Sequence, residues 1–209
     1  VQREADLIEE VGRHWGFDRI PATFPVLRSR PRPVSRAVVR DRRLRAILCG
    51  AGWQEAATFT FMEEEAAAAF LPQGEAAVAI ANPLSEKFAV LRPSLLPGLL
   101  DALVYNSRRE AEDVRLFEIG AVFEPRPGAT LPLERKSVGV LVMGDRRPPH
   151  FTEPKPPRYD QWDARALAER LLEVAVPSAK SALVAADAAE QAQGTLWSIE
   201  LDGARRGVV

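Results

Sequence analysis

The stretch FAVLRPSLLPGLLDALVYNSRREAEDVRLFEIGAVFEP, residues 88–125, predicts a strand, a capped helix and a second strand in direct succession. Ser94 is suited to cap the helix, and Pro97 falls in the first turn, where its missing N–H has no partner to lose. The helix is predicted from about Leu95 to Arg108. Its leucines recur at the three- and four-residue spacing of a buried face: Leu96, Leu99, Leu100 and Leu103. This helix therefore covers an apolar surface.

The second strand, VRLFEIGAVF at 114–123, is apolar on both of its alternating faces, which is typical of a central strand. Glu118 is the exception. A carboxylate buried there costs roughly several kcal/mol unless it is paired or hydrogen-bonded. Glu118 is therefore either a structural ion-pair partner of an arginine, which is the commoner case, or a residue of a functional site.

A family resemblance rests on this stretch. The segment NPLSEKFAVLRPSLLPGLLDALVYNSRR at 82–109, followed by VRLFEIGAVF, resembles the core of the beta subunit of bacterial phenylalanyl-tRNA synthetase. The resemblance implies an α+β fold, an antiparallel β-sheet flanked by helices as in the class II synthetases. It extends upstream through AGWQEAATFTFM at 51–62, and EADLIEEVGRHWGFDRIPAT at 4–23 resembles the end of the small helical B5-type domain that precedes this core. From about Lys136 onward it rests on the order of elements more than on motifs.

Four prolines between residues 20 and 33 predict an extended connector, with a boundary near Leu27. We expect residues 1–27 to be the C-terminal part of the B5-like domain and the connector. Residues 28–209 are then the synthetase-like core, ending before its C-terminus.

The composition is that of an ordinary globular protein, 46% hydrophobic and 27% charged, and the net charge of −1 gives no overall field that attracts nucleic acid. The single cysteine, Cys49, excludes an intrachain disulfide and a cysteine-rich zinc site, and we expect it to be a small buried residue. No run approaches the ~20 apolar residues of a membrane span. We expect a cytoplasmic protein without membrane contact.

Residues 4–16 predict an amphipathic helix with Asp6, Glu9 and Glu10 on the side opposite its apolar residues. Three such carboxylates offer the oxygen ligands that Mg²⁺ prefers, although a charged helix face is more often simply solvated. In the resembled family a D-x-x-E-E run at this place is a magnesium site shared with the alpha subunit. The resemblance therefore implies Asp6, Glu9 and Glu10 as metal ligands, in a site that is incomplete because a further aspartate of the family pattern would precede residue 1.

Ser35 predicts the start of a helix that runs to about Cys49 and turns five arginines mostly outward: Arg36, Arg40, Arg42, Arg43 and Arg45. Such a surface faces RNA or, more commonly, solvent or a protein interface. The segment from Trp53 to Met62 alternates as a strand, which places Phe59 and Phe61 on one face, jointly buried or jointly exposed. A helix and strand in this order build the class II subunit interface, so the resemblance implies that they dock the alpha subunit. The alternative is that the aromatic residues fill the core of their own domain.

The rest of the chain predicts a strand, a proline-rich solvated loop, a helix capped by Asp160 or Asp163, and a terminal hairpin turning at Asp202-Gly203. The expected ranges are 137–143 for the strand, 146–160 for the loop, 164–175 for the helix, and 181–185 and 196–201 for two further strands.

No motif of an active site is found: there is no phosphate-binding glycine loop, no G-x-S-x-G and no cluster of metal-ligating histidines. In active class II synthetases the strand matching 117–123 continues into Phe-Arg-x-Glu, whose arginine holds the α-phosphate of ATP. Here Phe123 is followed by Glu124 and Pro125, and Arg126 comes two positions late. A carboxylate at the phosphate position repels the ligand, so no catalytic residue is assigned.

Three functions are compatible with these observations. The resemblance favours a noncatalytic core that docks and supports a catalytic alpha subunit in the ATP-dependent charging of tRNA(Phe) with phenylalanine. It implies a heterotetramer of two alpha and two beta subunits, to which tRNA(Phe) binds. The alternatives are a catalytically active class II ligase and a nucleic-acid-binding module that takes no part in ligation.

Overall fold

The computed structural model describes residues 3–24, 26, 32–71, 74–192 and 194–209. The chain divides into two compact units, Val1–Val34 and Ser35–Val209. The domain boundary expected near Leu27 lies outside the described residues.

The smaller unit is built on helix α1 (Glu4–Trp15), as the sequence predicts. Gly16 ends the helix with a φ of 102°, a conformation that favours glycine, and a 3-10 turn at Phe17–Arg19 follows. The apolar residues of α1 share one side of the helix and are exposed within the described unit: Leu7, Ile8, Val11 and Trp15.

The larger unit contains helices α2 (Arg36–Gly50), α3 (Glu64–Ala68), α4 (Leu96–Ser107), α5 (Gln161–Ala175) and α6 (Ala188–Ala192). Its strands are β1 (Gln54–Glu55), β2 (Phe61–Met62), β3 (Val78–Ala79), β4 (Val90–Leu91), β5 (Val114–Glu124), β6 (Leu133–Met143), β7 (Ser181–Ala185), β8 (Trp197–Leu201) and β9 (Ala204–Val208). A 3-10 turn at Glu86–Phe88 precedes β4.

The central sheet has the strand order β1-β5-β6. Strands β5 and β6 form a long antiparallel hairpin, and the short edge strand β1 pairs parallel to β5. Two further sheets, β2-β4-β3 and β7-β8-β9, are antiparallel. The structure confirms the predicted α+β fold of antiparallel sheets and helices, with the β1–β5 pair as a parallel exception.

Helices α2 and α4 cover opposite faces of the central sheet. Phe117 and Ile119 of β5 pack with Leu44 and Leu48 of α2 and with the inner residues of α5, which include Leu167, Leu171 and Val174. On the other face, Leu99 of α4 packs with two residues of β5 of the opposite parity, Val114 and Leu116. This arrangement explains why both alternating sets of β5 are apolar.

Three sequence predictions about burial and pairing are wrong. Residues 53–62 do not form one strand, because Ala56 N–H donates to Phe117 O in the central sheet whereas Thr60 O accepts Arg92 N–H beside the second sheet. Leu100 is 40% exposed, because Leu95, just before α4, fills the inward position instead. Cys49 is exposed rather than buried, because it lies on the side of α2 that faces away from the sheet.

Candidate functional site

A buried cluster joins three separate parts of the larger unit. Arg92 Nη1 lies 2.8 Å from Glu118 Oε1, and the two side chains are 5% and 7% exposed. Thr58 completes the cluster, because its hydroxyl accepts from Arg92 Nη1 at 2.9 Å and donates to Glu118 Oε2 at 2.7 Å. Arg92 Nε also donates to Ala121 O at 2.8 Å. Glu118 is therefore the ion-pair partner of an arginine.

Two glycines make this cluster possible. A Cβ at Gly98, in the first turns of α4, would collide with the Thr58 side chain. A Cβ at Gly120 of β5 would collide with the Arg92 guanidinium. The close approach fixes the segment around Thr58 against α4 and against the central sheet.

A groove of about 610 Å³ lies between α4 and the segment held by this cluster. Its aromatic residues are strongly exposed, Phe59 to 74%, Phe61 to 42% and Tyr105 to 58%. Phe59 packs edge-to-face on Phe88, with 5.6 Å between ring centroids, and Arg109 stacks on Tyr105 with its Cζ 3.4 Å from the ring centroid. Exposed aromatic residues around a concave apolar surface are typical of a protein interaction site.

The outer face of α2 is a second exposed surface. Arg36, Arg42 and Arg43 are exposed on it without a carboxylate partner, beside the exposed Val38 and Val39. Arg40 and Arg45, also predicted to point outward, are only half-exposed, because they pair with Asp41 at 3.2 Å and with Glu55 at 2.6 Å respectively. The exposed face of α2 is therefore basic, with valines between its arginines.

Asp41 anchors α2 to the sheet from inside. Its carboxylate is buried and lies 2.8 Å from Lys136 Nζ of β6. The hydrogen bond from Lys136, with a smaller contribution from Arg40, holds the pKa of Asp41 below its usual range against the opposing effect of burial. Sequence analysis missed this residue, since one aspartate among the arginines of a helix looks like a solvated charge.

The groove and the outer face of α2 lie on opposite sides of the central sheet, since α4 and α2 cover its two faces. Residues 35–49 and 53–62 therefore do not build one face, since Trp53 packs with α2 whereas Phe59 and Phe61 line the groove. That these surfaces dock an alpha subunit stays a prediction. The edge strand β1 lies between α2 and the groove segment in the sequence. Phe59 and Phe61 are jointly exposed, as one of the two predicted alternatives required.

Glu124, which sequence analysis matched to the phosphate-binding arginine of the class II motif, is the last residue of β5. Its carboxylate lies 2.6 Å from the guanidinium of Arg135 on the neighbouring strand β6. Arg126, two residues on, is exposed in the turn that joins the strands. The position therefore carries a partly exposed ion pair and presents a carboxylate.

The predicted metal ligands lie on α1 in the smaller unit. Asp6 is half-buried and accepts the backbone N–H of Arg3 at 3.2 Å, and Glu10 pairs with Arg13 at 2.6 Å. Glu9 is exposed. Over the part of the chain that the structure describes, no three His, Cys, Asp or Glu side chains are placed to hold a metal ion. Two of the three carboxylates thus have contacts near or within the helix, and the metal assignment stays a prediction.

The fold is similar to that of aminoacyl-tRNA synthetases. Two solved structures of pyrrolysyl-tRNA synthetase from Desulfitobacterium hafniense superpose on 95% of the chain with TM-scores of 0.53 and 0.54, and the chain covers 60% and 62% of their length. The sequence identity to both is 19%, so this likeness concerns the fold alone.

The particular family follows from sequence. The model of the phenylalanyl-tRNA synthetase beta chain CLM domain matches residues 20–209, and the chain belongs to this family. Relatives include the phenylalanine–tRNA ligase beta subunits of Novosphingobium aromaticivorans, 40% identical over 80% of the chain, and of Bacillus subtilis, 35% identical over 81%. That of Geobacillus kaustophilus is 38% identical over 68% of the chain. The chain spans about a fifth of the length of these relatives, 21%, 21% and 18% respectively.

The family assignment confirms the resemblance drawn from residues 82–123. None of the helices in the described ranges is long and apolar enough to cross a membrane.

Proposed function

We propose that this chain is a noncatalytic, synthetase-like core of a phenylalanine–tRNA ligase beta subunit, and that it docks and supports the catalytic alpha subunit. The whole enzyme would charge tRNA(Phe) with phenylalanine at the expense of ATP, as a heterotetramer of two alpha and two beta subunits in the cytoplasm. The observation that carries the proposal is the ion pair of Glu124 with Arg135, at a position where catalysis requires a free cation. A carboxylate there repels the α-phosphate of ATP.

The groove between α4 and residues 57–63 is the surface that we assign to docking. Phe59, Phe61 and Tyr105 are three exposed aromatic residues in one groove, and exposed apolar patches of this kind mark protein interaction sites. The buried Arg92–Glu118 pair holds the groove segment in place. Burial of one phenylalanine side chain contributes about 1.5–3 kcal/mol to association. The groove therefore provides the apolar centre of an interface.

The basic face of α2, on the other side of the central sheet, is a second candidate docking surface with a charge preference of its own. A second copy of this chain would present the same unpaired arginines, Arg36, Arg42 and Arg43, so that pairing of two α2 helices face to face is unfavourable. An acidic surface on the alpha subunit would be favoured instead. The partner of α2 is therefore a different chain.

The docking assignment is tested by binding of the purified alpha subunit to chain variants. Phe59→Ser combined with Phe61→Ser should weaken association by about 2–4 kcal/mol, or roughly 30- to 900-fold, because both side chains are anchors. Both residues are exposed, so the variant should remain folded by circular dichroism. The matched control is Leu131→Ser, which removes an equally exposed apolar residue from the β5–β6 turn and should leave the affinity unchanged.

Charge reversal tests the second surface separately. Arg42→Glu with Arg43→Glu should weaken binding and reduce its salt dependence, whereas Arg40 is unsuitable for this test because it contacts Asp41. A fluorophore on Cys49, the single cysteine and an exposed one, reports whether α2 is covered. If neither pair of substitutions alters the affinity, docking occurs elsewhere on the chain.

We also propose that Asp6, Glu9 and Glu10 contribute to a magnesium site that ligands from outside this chain complete, some of them from the alpha subunit. Two observations support this proposal: the three carboxylates lie on one helix, and the Glu9 side chain is exposed and therefore accessible to another chain. When bound, the ion would link the two chains through shared oxygen ligands.

A further inference from the structure

Arg115, the second residue of β5, carries a half-buried positive charge that forms no ion pair with a carboxylate of the described residues. Its Nη2 donates to the backbone oxygens of Asp145 and Arg146, at the long distances of 3.3 and 3.4 Å. Its Nε is buried and has no acceptor. Among the described residues, every other arginine without a carboxylate partner is exposed to solvent. Arg115 is therefore unusual in this chain, because half-buried charges are normally paired.

Trp53 Nε1 is a second buried donor without an acceptor among the described residues, and both Trp53 and Arg115 lie beside the ring of Tyr159. Trp53 Nε1 has no hydrogen-bond partner, and the Trp53 ring packs edge-on against Tyr159 with centroids 5.9 Å apart. The Arg115 Cζ lies 5.5 Å from the Tyr159 ring centroid. Two buried N–H donors beside Tyr159, Trp53 Nε1 and Arg115 Nε, therefore lack acceptors.

A pocket of about 330 Å³ opens at Arg115, between the start of β1 and the end of α4. Gly52 forms part of its wall with a φ of 88°, and a Cβ at this position would lie only 3.3 Å from Arg115 Nη1. The glycine thus keeps the guanidinium accessible from the pocket. Asp113 also lines the pocket, but its Oδ1 accepts the Asp145 N–H at 2.7 Å. It forms no ion pair with Arg115 among the described contacts.

We propose that this pocket, the Arg115 pocket, binds a small oxyanion, a phosphate or carboxylate group, through the guanidinium of Arg115. A planar guanidinium matches the oxygens of both groups, and the volume is at the lower end of small-molecule sites. Arg115 and Glu124 lie near opposite ends of β5, about 30 Å apart at the usual rise of a strand. The Arg115 pocket is therefore separate from the position that corresponds to the ATP site of active synthetases.

Calorimetric titration at constant ionic strength tests the proposal, with pyrophosphate and citrate as separate probes for phosphate and carboxylate. We expect saturable binding of at least one probe to one site per chain, weakened at least tenfold by Arg115→Gln. Asp113→Asn should tighten binding severalfold, because it removes a negative charge from the pocket wall. The control Arg108→Gln, which removes an exposed arginine without a carboxylate partner, should leave binding unchanged.

A conservative variant separates binding from folding. Arg115→Lys keeps the charge but loses the planar donors, so it should bind more weakly while it melts within a few degrees of the unmodified chain. If Arg115→Gln is unstable, this variant decides the question. The proposal is overturned if neither probe shows saturable binding up to about 10 mM, or if the Arg115 variants bind as tightly as the Arg108 control. Neither result bears on docking of the alpha subunit, which is measured through Phe59 and Phe61.

Discussion

Replacing Glu118 by alanine should destabilise the protein strongly, because it leaves the buried Arg92 guanidinium without its carboxylate and the Thr58 hydroxyl proton without its acceptor. Breaking a buried ion pair by removing one partner costs about 3–5 kcal/mol. The upper half of that range is expected, since both charged side chains are at least nine-tenths buried and Glu118 also loses its bond with Thr58. Such a loss is about a quarter or more of the total stability of about 5–15 kcal/mol that is typical of a domain.

Urea and thermal unfolding followed by circular dichroism measure this effect. For a domain of this size the melting temperature should fall by about 8–20 °C. The matched control is Glu134→Ala, which removes an exposed carboxylate from the neighbouring strand β6 and should change stability by no more than about 0.5 kcal/mol.

A double-mutant cycle isolates the interaction itself. The cycle consists of Arg92→Met, Glu118→Leu and the double variant, which removes both charges together. The double variant should lose less free energy of unfolding than the two single variants lose in sum, by about 1–3 kcal/mol. If Glu118→Ala costs less than about 1 kcal/mol, or if the two substitutions are additive, the pair is solvated and does not hold the groove segment.

Two further predictions concern charges elsewhere. The hydrogen bond from Lys136, with a smaller contribution from Arg40, lowers the folded-state pKa of Asp41. Ionised Asp41 therefore stabilises the fold fully above the unfolded pKa of about 3.9, and this stabilisation is lost as the pH falls through the lower folded-state pKa. Asp41→Asn should therefore cost about 1–3 kcal/mol at pH 7 in urea unfolding, with a difference that shrinks below about pH 4; a pH-independent difference would contradict this explanation. Asp6→Asn should lower the magnesium content of the assembled alpha–beta enzyme, measured by atomic absorption, whereas Glu4→Gln on the same helix should not. Unchanged metal content in the Asp6 variant would show that the acidic side of α1 is only a solvated surface.

Local patterns were sufficient for the elements whose own residues determine them. The doubly apolar run of β5 predicts a central strand, and helix α4 begins and ends within one residue of the predicted bounds. The Asp202-Gly203 pair predicts the final hairpin, and both residues have the positive φ, 50° and 78°, that a tight two-residue turn needs.

Predictions failed where the partner of a segment lies far away in the sequence. The alternation in residues 53–62 predicts a strand, but it carries no information on which sheet each half joins. The period of two also places Phe59 and Phe61 on one face without indicating whether that face is covered. A buried carboxylate in β5 requires a cation, yet only the fold identifies Arg92 among the many arginines of the chain.

The candidate site was predicted in part for the same reason. The substitution of Glu124 for an arginine is visible in the sequence, since it concerns one position of a motif. The groove is not, because it forms only when α4 and the segment 57–63 come together around Thr58. Tyr105 lies on the exposed side of α4 and Arg109 just after the helix, and the two side chains stack. In the sequence nothing distinguishes them from ordinary surface residues.

Calorimetric titration of the chain with Mg-ATP and phenylalanine, together with an ATP–pyrophosphate exchange assay, tests the noncatalytic assignment most directly. We predict no exchange and no micromolar ATP binding, because Glu124 and its partner Arg135 occupy the phosphate position. If ATP binds weakly and Arg115→Gln removes this binding, the ATP phosphates occupy the Arg115 pocket, and the noncatalytic assignment still holds. Saturable micromolar ATP binding that Arg126→Ala abolishes, accompanied by pyrophosphate exchange, would contradict it and make the chain an active class II ligase.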